Sequence, residues 1–112
     1  MTRDELKQIY YLDQELKMWR KELDGIQTQL TETNEIHPAI KDIEFVIEDM
    51  LGEIQIQKKK IIDFIMQIED SLIRQAMFYR HVSLMDWNEV AQKIGGGNTG
   101  DGIRKMHDRF ME

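Results

Sequence analysis

The sequence holds no cysteine and a single proline, and no apolar run approaches the roughly 18 residues that a membrane span needs. Without cysteine there can be neither a disulfide framework nor a thiolate metal site, which suits a reducing cytosol. The three histidines, His37, His81 and His107, lie far apart and belong to no H-x-x-x-H or H-E-x-x-H pattern, so no metal is expected. No nucleophile–base grouping emerges, and the scattered carboxylates sit on helical faces. An enzyme is therefore not expected, and no cofactor is implied. The opening MTRDELKQ is charged at once, and we expect a cytoplasmic protein with no membrane partner.

What is present is charge and periodicity. The 112 residues carry 15 basic and 21 acidic side chains, net −6, which argues against a simple nucleic-acid binder. The balance is uneven along the chain. Residues 1–57 hold 6 basic and 13 acidic residues, net −7, whereas 58–112 hold 9 and 8, net +1. The KKK run at 58–60 is most simply a solvated face. The length fits one domain, or a small domain with an extension.

Ile9, Leu16, Leu23 and Leu30 recur every seven residues, with Leu12, Trp19 and Ile26 three after the first three of them. This a/d spacing predicts a helix over about 2–33, roughly 48 Å long, a length suited to a coiled coil. TETNEIHP reads as a break, because Pro38 restricts His37 and suits the first turn of a new helix. The spacing then restarts at Ile40, Ile47, Ile54, Ile61 and Ile68, with Ile43, Met50, Gln57 and Phe64 three after the first four. An antiparallel hairpin lets each helix bury its stripe on the other. Phe45, Val46, Leu51, Ile62 and Ile65 lie beside the second stripe and make self-association of the hairpin an expectation.

A second break falls near residue 69, with Asp70 capping a helix that contains Leu72, Ile73, Ala76, Met77 and Tyr79. Asp86 and Glu89 then form an N-cap signal ahead of Trp87, Val90, Ala91 and Ile94, which share one helical face. No region alternates like a strand. The expected fold is all-α: a long N-terminal antiparallel helical hairpin over 1–57, followed by a C-terminal helix-turn-helix bundle over 58–112.

Between the last two helical patterns stands GGGNTGDG. Gly95, Gly97 and Gly100 match G-x-G-x-x-G, which in a dinucleotide fold follows a buried strand. Here a helix enters the glycines, and Ile103, Met106 and Phe110 place a second helix after them. The segment is read as helix, glycine turn, helix.

The tail IEDSLIRQAMFYRHVSLMDWNEVAQKIGGGNTGDGIRKMHDRF resembles the helix-turn-helix of sigma-70 region 4, in the form found in small phage and prophage regulators. The resemblance spans about 58–110. It is carried by DSLIRQAMFYRHV as support helix, W-x-E-V-A at Trp87–Ala91, and GGGNTGDGIRKMHDRF as turn and recognition helix. It implies double-stranded DNA as ligand, RNA polymerase as a possible partner, and a recognition helix over about 99–110 in the major groove. Two departures stand out: Asp86 replaces the serine of many relatives, and Gly100 and Gly102 fall in the first turn of the recognition helix. Those glycines raise the expectation that this helix orders only on DNA.

With Ile103, Met106 and Phe110 inward, Asp101, Lys105 and Asp108 point outward and Arg104 and Arg109 flank them. Arg104 and Lys105 are the candidates for guanine or phosphate contact, since both can donate to the O6 and N7 edge. Asn98 and Thr99 either cap the helix or reach DNA, and Lys93 is a phosphate candidate. The competing possibility is a solvated ion-pair row, because Lys105 stands four after Asp101 and three before Asp108. His107 is expected to be a packed or half-exposed structural histidine, and Trp87 and the methionines core filler.

The function expected is a sequence-specific transcriptional regulator of phage type, its hairpin serving homo-oligomerisation or partner contact. The alternatives are a phage DNA-packaging or assembly component, and a polymerase-docking module without direct DNA readout.

Overall fold

The computed structural model describes residues 1–33 and 38–112, with side chains described for 1–29 and 38–112. The described residues form five helices: α1 Arg3–Thr33, α2 Ile40–Ile65, α3 Ser71–His81, α4 Trp87–Ile94 and α5 Gly100–Phe110. No strand occurs among them, so the all-α expectation holds. The break expected at TETNEIHP falls largely at 34–37, and that segment, with His37 and the side chain of Leu30, lies outside the described residues.

The starts of α1, α3 and α4 have local causes. Thr2 and Glu5 form a reciprocal capping box at α1, the Thr2 hydroxyl accepting from the Glu5 amide at 3.2 Å and the Thr2 amide donating to the Glu5 carboxylate at 3.2 Å. The T-x-x-E spacing of Thr2 and Glu5 is a capping-box signal in the sequence itself. Asp70 accepts from the Ile73 amide at 3.0 Å and so starts α3, as its position predicts. Asp86 does the same for α4 through the Glu89 amide at 2.9 Å.

The chain divides into two compact units, and both long helices contribute to each. One unit comprises Tyr11–Ile56. There Leu16 of α1 is buried with Met50 and Ile54 of α2, and Leu12, Trp19, Val46 and Ile47 pack against them. These are a/d positions of both stripes with Val46 beside them, the packing of a helical hairpin. The apolar residues flanking the second stripe separate in the structure. Val46, Ile62 and Ile65 are at least half-buried, while Phe45 and Leu51 are exposed.

The other unit comprises Gln57–Glu112 together with Met1–Tyr10. Leu6 and Ile9 from the start of α1 are fully buried in one core with Ile61 and Ile65 of α2, Ile68, and Met77 of α3. Ala76, the residue before Met77, faces a second core formed with Val90 and Ala91 of α4 and Ile103 of α5. Consecutive residues of α3 thus serve two clusters, making α3 the support on which α4 and α5 are mounted. Between α3 and α4, Leu84 adopts a positive φ of 58°. Its side chain packs against the first core, and Met85 donates its amide to the Tyr79 carbonyl at 3.0 Å. The sequence division at 57/58 does not anticipate the first ten residues as part of this unit.

Candidate nucleic-acid interface

The α4–α5 connection is built from glycine for a conformational reason. Gly95, Gly96 and Gly97 have φ of 72°, 67° and 77°, a run that side chains with a Cβ rarely adopt. Asn98 closes the turn, its side-chain amide donating to the Gly95 carbonyl at 2.8 Å. Thr99 then caps α5, its hydroxyl accepting from the Gly102 amide at 3.1 Å. Since a helix and no strand feeds the glycines, the G-x-G-x-x-G spacing lacks its nucleotide-binding context.

Gly100 has a different role. A Cβ there would meet the Asn88 side chain, the Asn88 backbone nitrogen at 3.0 Å and the Trp87 carbonyl carbon at 3.1 Å. Only glycine lets the first residue of α5 lie against the first turn of α4. In the structure α5 is helical from Gly100 and capped by Thr99.

On α5, Ile103 and His107 are buried and Met106 is half-buried. Phe110, expected inward, is 38% exposed, its ring 6.5 Å from that of Phe64. His107, four residues after Ile103, takes the inward position against His81 of α3 and Trp87 of α4. Asp101, Arg104, Lys105 and Arg109 are exposed, as are Lys93, Asn98 and Thr99.

The structure brings the α5 charges into one row. Arg104 donates to Asp101 at 2.7 Å and to Asp108 at 3.4 Å. Lys105 pairs with the other Asp101 oxygen at 3.1 Å. Asp101 is held below the usual carboxylate range by the hydrogen bonds from Arg104 and then Lys105, and Arg104 is pushed above its ordinary value chiefly by its bond to Asp101. Lys93 and Arg109 have no ion-pair partner among the described residues. Asn98 and Thr99 are both occupied in the turn and the cap. This surface therefore has two kinds of cation: two without an ion-pair partner among the described residues, and two held by one aspartate.

Beneath this row lies a cluster that sequence reasoning missed. His81 of α3 and His107 of α5 meet Nε2 to Nε2 at 2.8 Å. The His107 ring lies 4.9 Å from the Trp87 ring, over which the Arg80 guanidinium sits at 4.8 Å. The other His107 nitrogen, Nδ1, is 3.0 Å from Asp108. Arg3 of α1 closes the group by donating to the Asp108 carbonyl at 3.0 Å. Burial, then His107, then Arg80 lower the His81 pKa to about 3. Burial also lowers His107, against the opposing hydrogen bond to Asp108. The 26-residue separation of the two histidines gave no local signal, although their joint helical phase was available once α3 and α5 were placed.

No group of three or more His, Asp or Glu able to hold a metal occurs among the described residues. No described helix is long and apolar enough to cross a membrane. Comparison with protein families, with curated proteins and with solved structures finds no match for this chain.

Proposed function

We propose that residues 57–112, completed by residues 1–10, form a DNA-binding helix-turn-helix unit of a phage-type transcriptional regulator, with α5 entering the major groove of double-stranded DNA. The observation that carries this reading is the Gly100 contact. It seats the start of α5 on the first turn of α4 while Asp101, Arg104, Lys105 and Arg109 all remain exposed. A helix presented in this way offers its first turns to base edges and its flanking cations to phosphate.

Lys93 and Arg109 are assigned to phosphate, being unpaired, and Arg104 and Lys105 to the base edges. Asn98 and Thr99 shape the turn and the cap, and any DNA contact they make is through the surface they build. The hairpin serves assembly. Its exposed Phe45 and Ile56, 70% and 54% accessible on α2, are apolar surface that a homo-oligomer or RNA polymerase would cover.

A second reading, a polymerase-docking module that does not read DNA, is favoured by one observation: both central cations of α5 are already paired to Asp101. Selection from a pool of random duplexes separates the readings. The regulator enriches one short site. Binding without enrichment points to a packaging or assembly role, and absence of binding points to docking alone.

A further inference from the structure

Asp101 occupies an unusual place for an acidic residue, near the start of a helix proposed to approach a polyanion. One carboxylate oxygen takes the Arg104 guanidinium at 2.7 Å and the other the Lys105 ammonium at 3.1 Å. Asp108 takes a second Arg104 nitrogen at 3.4 Å. Arg104 is therefore flanked by carboxylates three residues before it and four after it, and these contacts bias its guanidinium toward the helix surface before any ligand arrives. An unpaired arginine on this face would swing to the nearest phosphate on any duplex. Phosphate contact is blind to sequence, and it dominates affinity for non-specific DNA.

A phosphate can also take an arginine through two oxygens, but the two acceptors of a guanine edge, O6 and N7, lie in the base plane of the major groove and occur only where the sequence has guanine. The Asp101 carboxylate, carried beside Arg104, can accept from the amino group of a neighbouring cytosine while being repelled by phosphate. An aspartate that costs affinity on every sequence but less on one is a discrimination device.

We propose that Asp101 is a specificity-determining positioning residue: it withholds Arg104 and Lys105 from phosphate and presents Arg104 to a guanine edge, so that it widens the gap between specific and non-specific DNA binding. This rests on the DNA-binding reading above. Asp101 acts through Arg104 and Lys105, and its removal loosens selection while strengthening the grip on arbitrary DNA. The more usual effect of removing a residue from a binding face is the reverse, a loss of affinity.

The test compares the full chain with Asp101→Asn, Asp101→Ser and Asp101→Glu, on a random-sequence duplex and on the duplex selected from the random pool, across a salt series. Asp101→Asn and Asp101→Ser are expected to bind the random duplex roughly tenfold more tightly near ~50 mM salt, with a salt slope steeper by about one to two units, since each freed cation releases a counterion. The selected duplex gains less, so the ratio of affinities falls, and Asp101→Glu restores both ratio and slope. Unchanged slope and ratio in the two neutral variants, with helicity retained, would overturn the proposal while leaving DNA binding intact. Failure of the unsubstituted protein to bind either duplex would overturn the DNA reading itself, and this inference with it.

Discussion

His81 and His107, 26 residues apart and on different helices, face each other through their Nε2 atoms at 2.8 Å. The neighbours decide which nitrogen carries the proton. Asp108 is held below the usual carboxylate range, first by its hydrogen bond with His107, so it is ionised at neutral pH and accepts from His107 Nδ1. That leaves His107 Nε2 as the acceptor and His81 Nε2 as the donor. The pair joins α3 to α5 as two neutral rings, with Arg80 and Arg3 nearby to oppose any added positive charge.

Stability of this unit should therefore fall in mild acid. The His81 pKa is about 3 in the folded chain against 6.5 for an unperturbed histidine. Above 6.5 neither state binds the proton, and the full stability is present. Below it the unfolded chain takes up a proton that the folded chain refuses, so stability declines as pH falls from 6.5 toward 3, by about 1.4 kcal/mol per pH unit for one histidine. The lowered carboxylates Asp86, Asp101 and Asp108 add to the loss only near and below their ordinary range, leaving the window from 6.5 to about 4.5 to the histidines. Urea denaturation at several pH values should show this slope, and His81→Gln, which cannot titrate, should flatten it. An equal slope in the variant would remove His81 from the explanation.

The first ten residues should prove indispensable to the C-terminal unit. Leu6 and Ile9 are fully buried against Ile61, Ile65, Ile68 and Met77, and Arg3 binds the Asp108 carbonyl. Leu6→Ala is expected to cost about 2–5 kcal/mol, the usual range for a large side chain removed from a closed core. A fragment beginning at residue 58 should lose the cooperative thermal transition of the full chain. A fragment that melts as the full chain does would show that the N-terminal contacts are dispensable.

Two glycine substitutions should act in opposite directions. Gly100→Ala drives a Cβ into backbone atoms of Trp87 and Asn88, which cannot yield as a side-chain end can, and should destabilise by about 1–3 kcal/mol. Gly52→Ala lies inside α2 with nothing within 4 Å of the added carbon, and should stabilise by about 0.5–1 kcal/mol. The shifts in thermal midpoint check both. A neutral Gly100→Ala would undo the close approach of α4 and α5.

Much of the architecture could be read from residue spacing because its causes are local. Asp70 and Asp86 mark helix starts through bonds to amides three residues away, and the heptads of Leu16, Met50 and Ile54 meet in a hairpin core. The features that escaped are those decided by tertiary contact. Leu6 and Ile9 share a helical face, but the core that they join is completed by Ile61, Ile65, Ile68 and Met77, a pairing that no local spacing announces. Gly100 looked like a flaw in a helix until the neighbouring backbone explained it. The candidate site shows the same division: its exposed residues and the ion-pair row of Lys105 with Asp101, four residues apart, followed from helical phase, whereas the histidine pair beneath them required the packing of α3 on α5.

The central claim is that α5 and its flanking cations bind double-stranded DNA. Fluorescence anisotropy of a labelled duplex at several salt concentrations tests it most directly, with the protein compared against the triple substitution Lys93→Ala, Lys105→Ala, Arg109→Ala. The account predicts binding that weakens steeply as salt rises and a slope shallower by about two units in the triple variant, from the loss of the phosphate cations Lys93 and Arg109, with helicity and oligomeric state unchanged. Equal affinity and slope in the two proteins, or no binding by the unsubstituted chain at low salt, would contradict it.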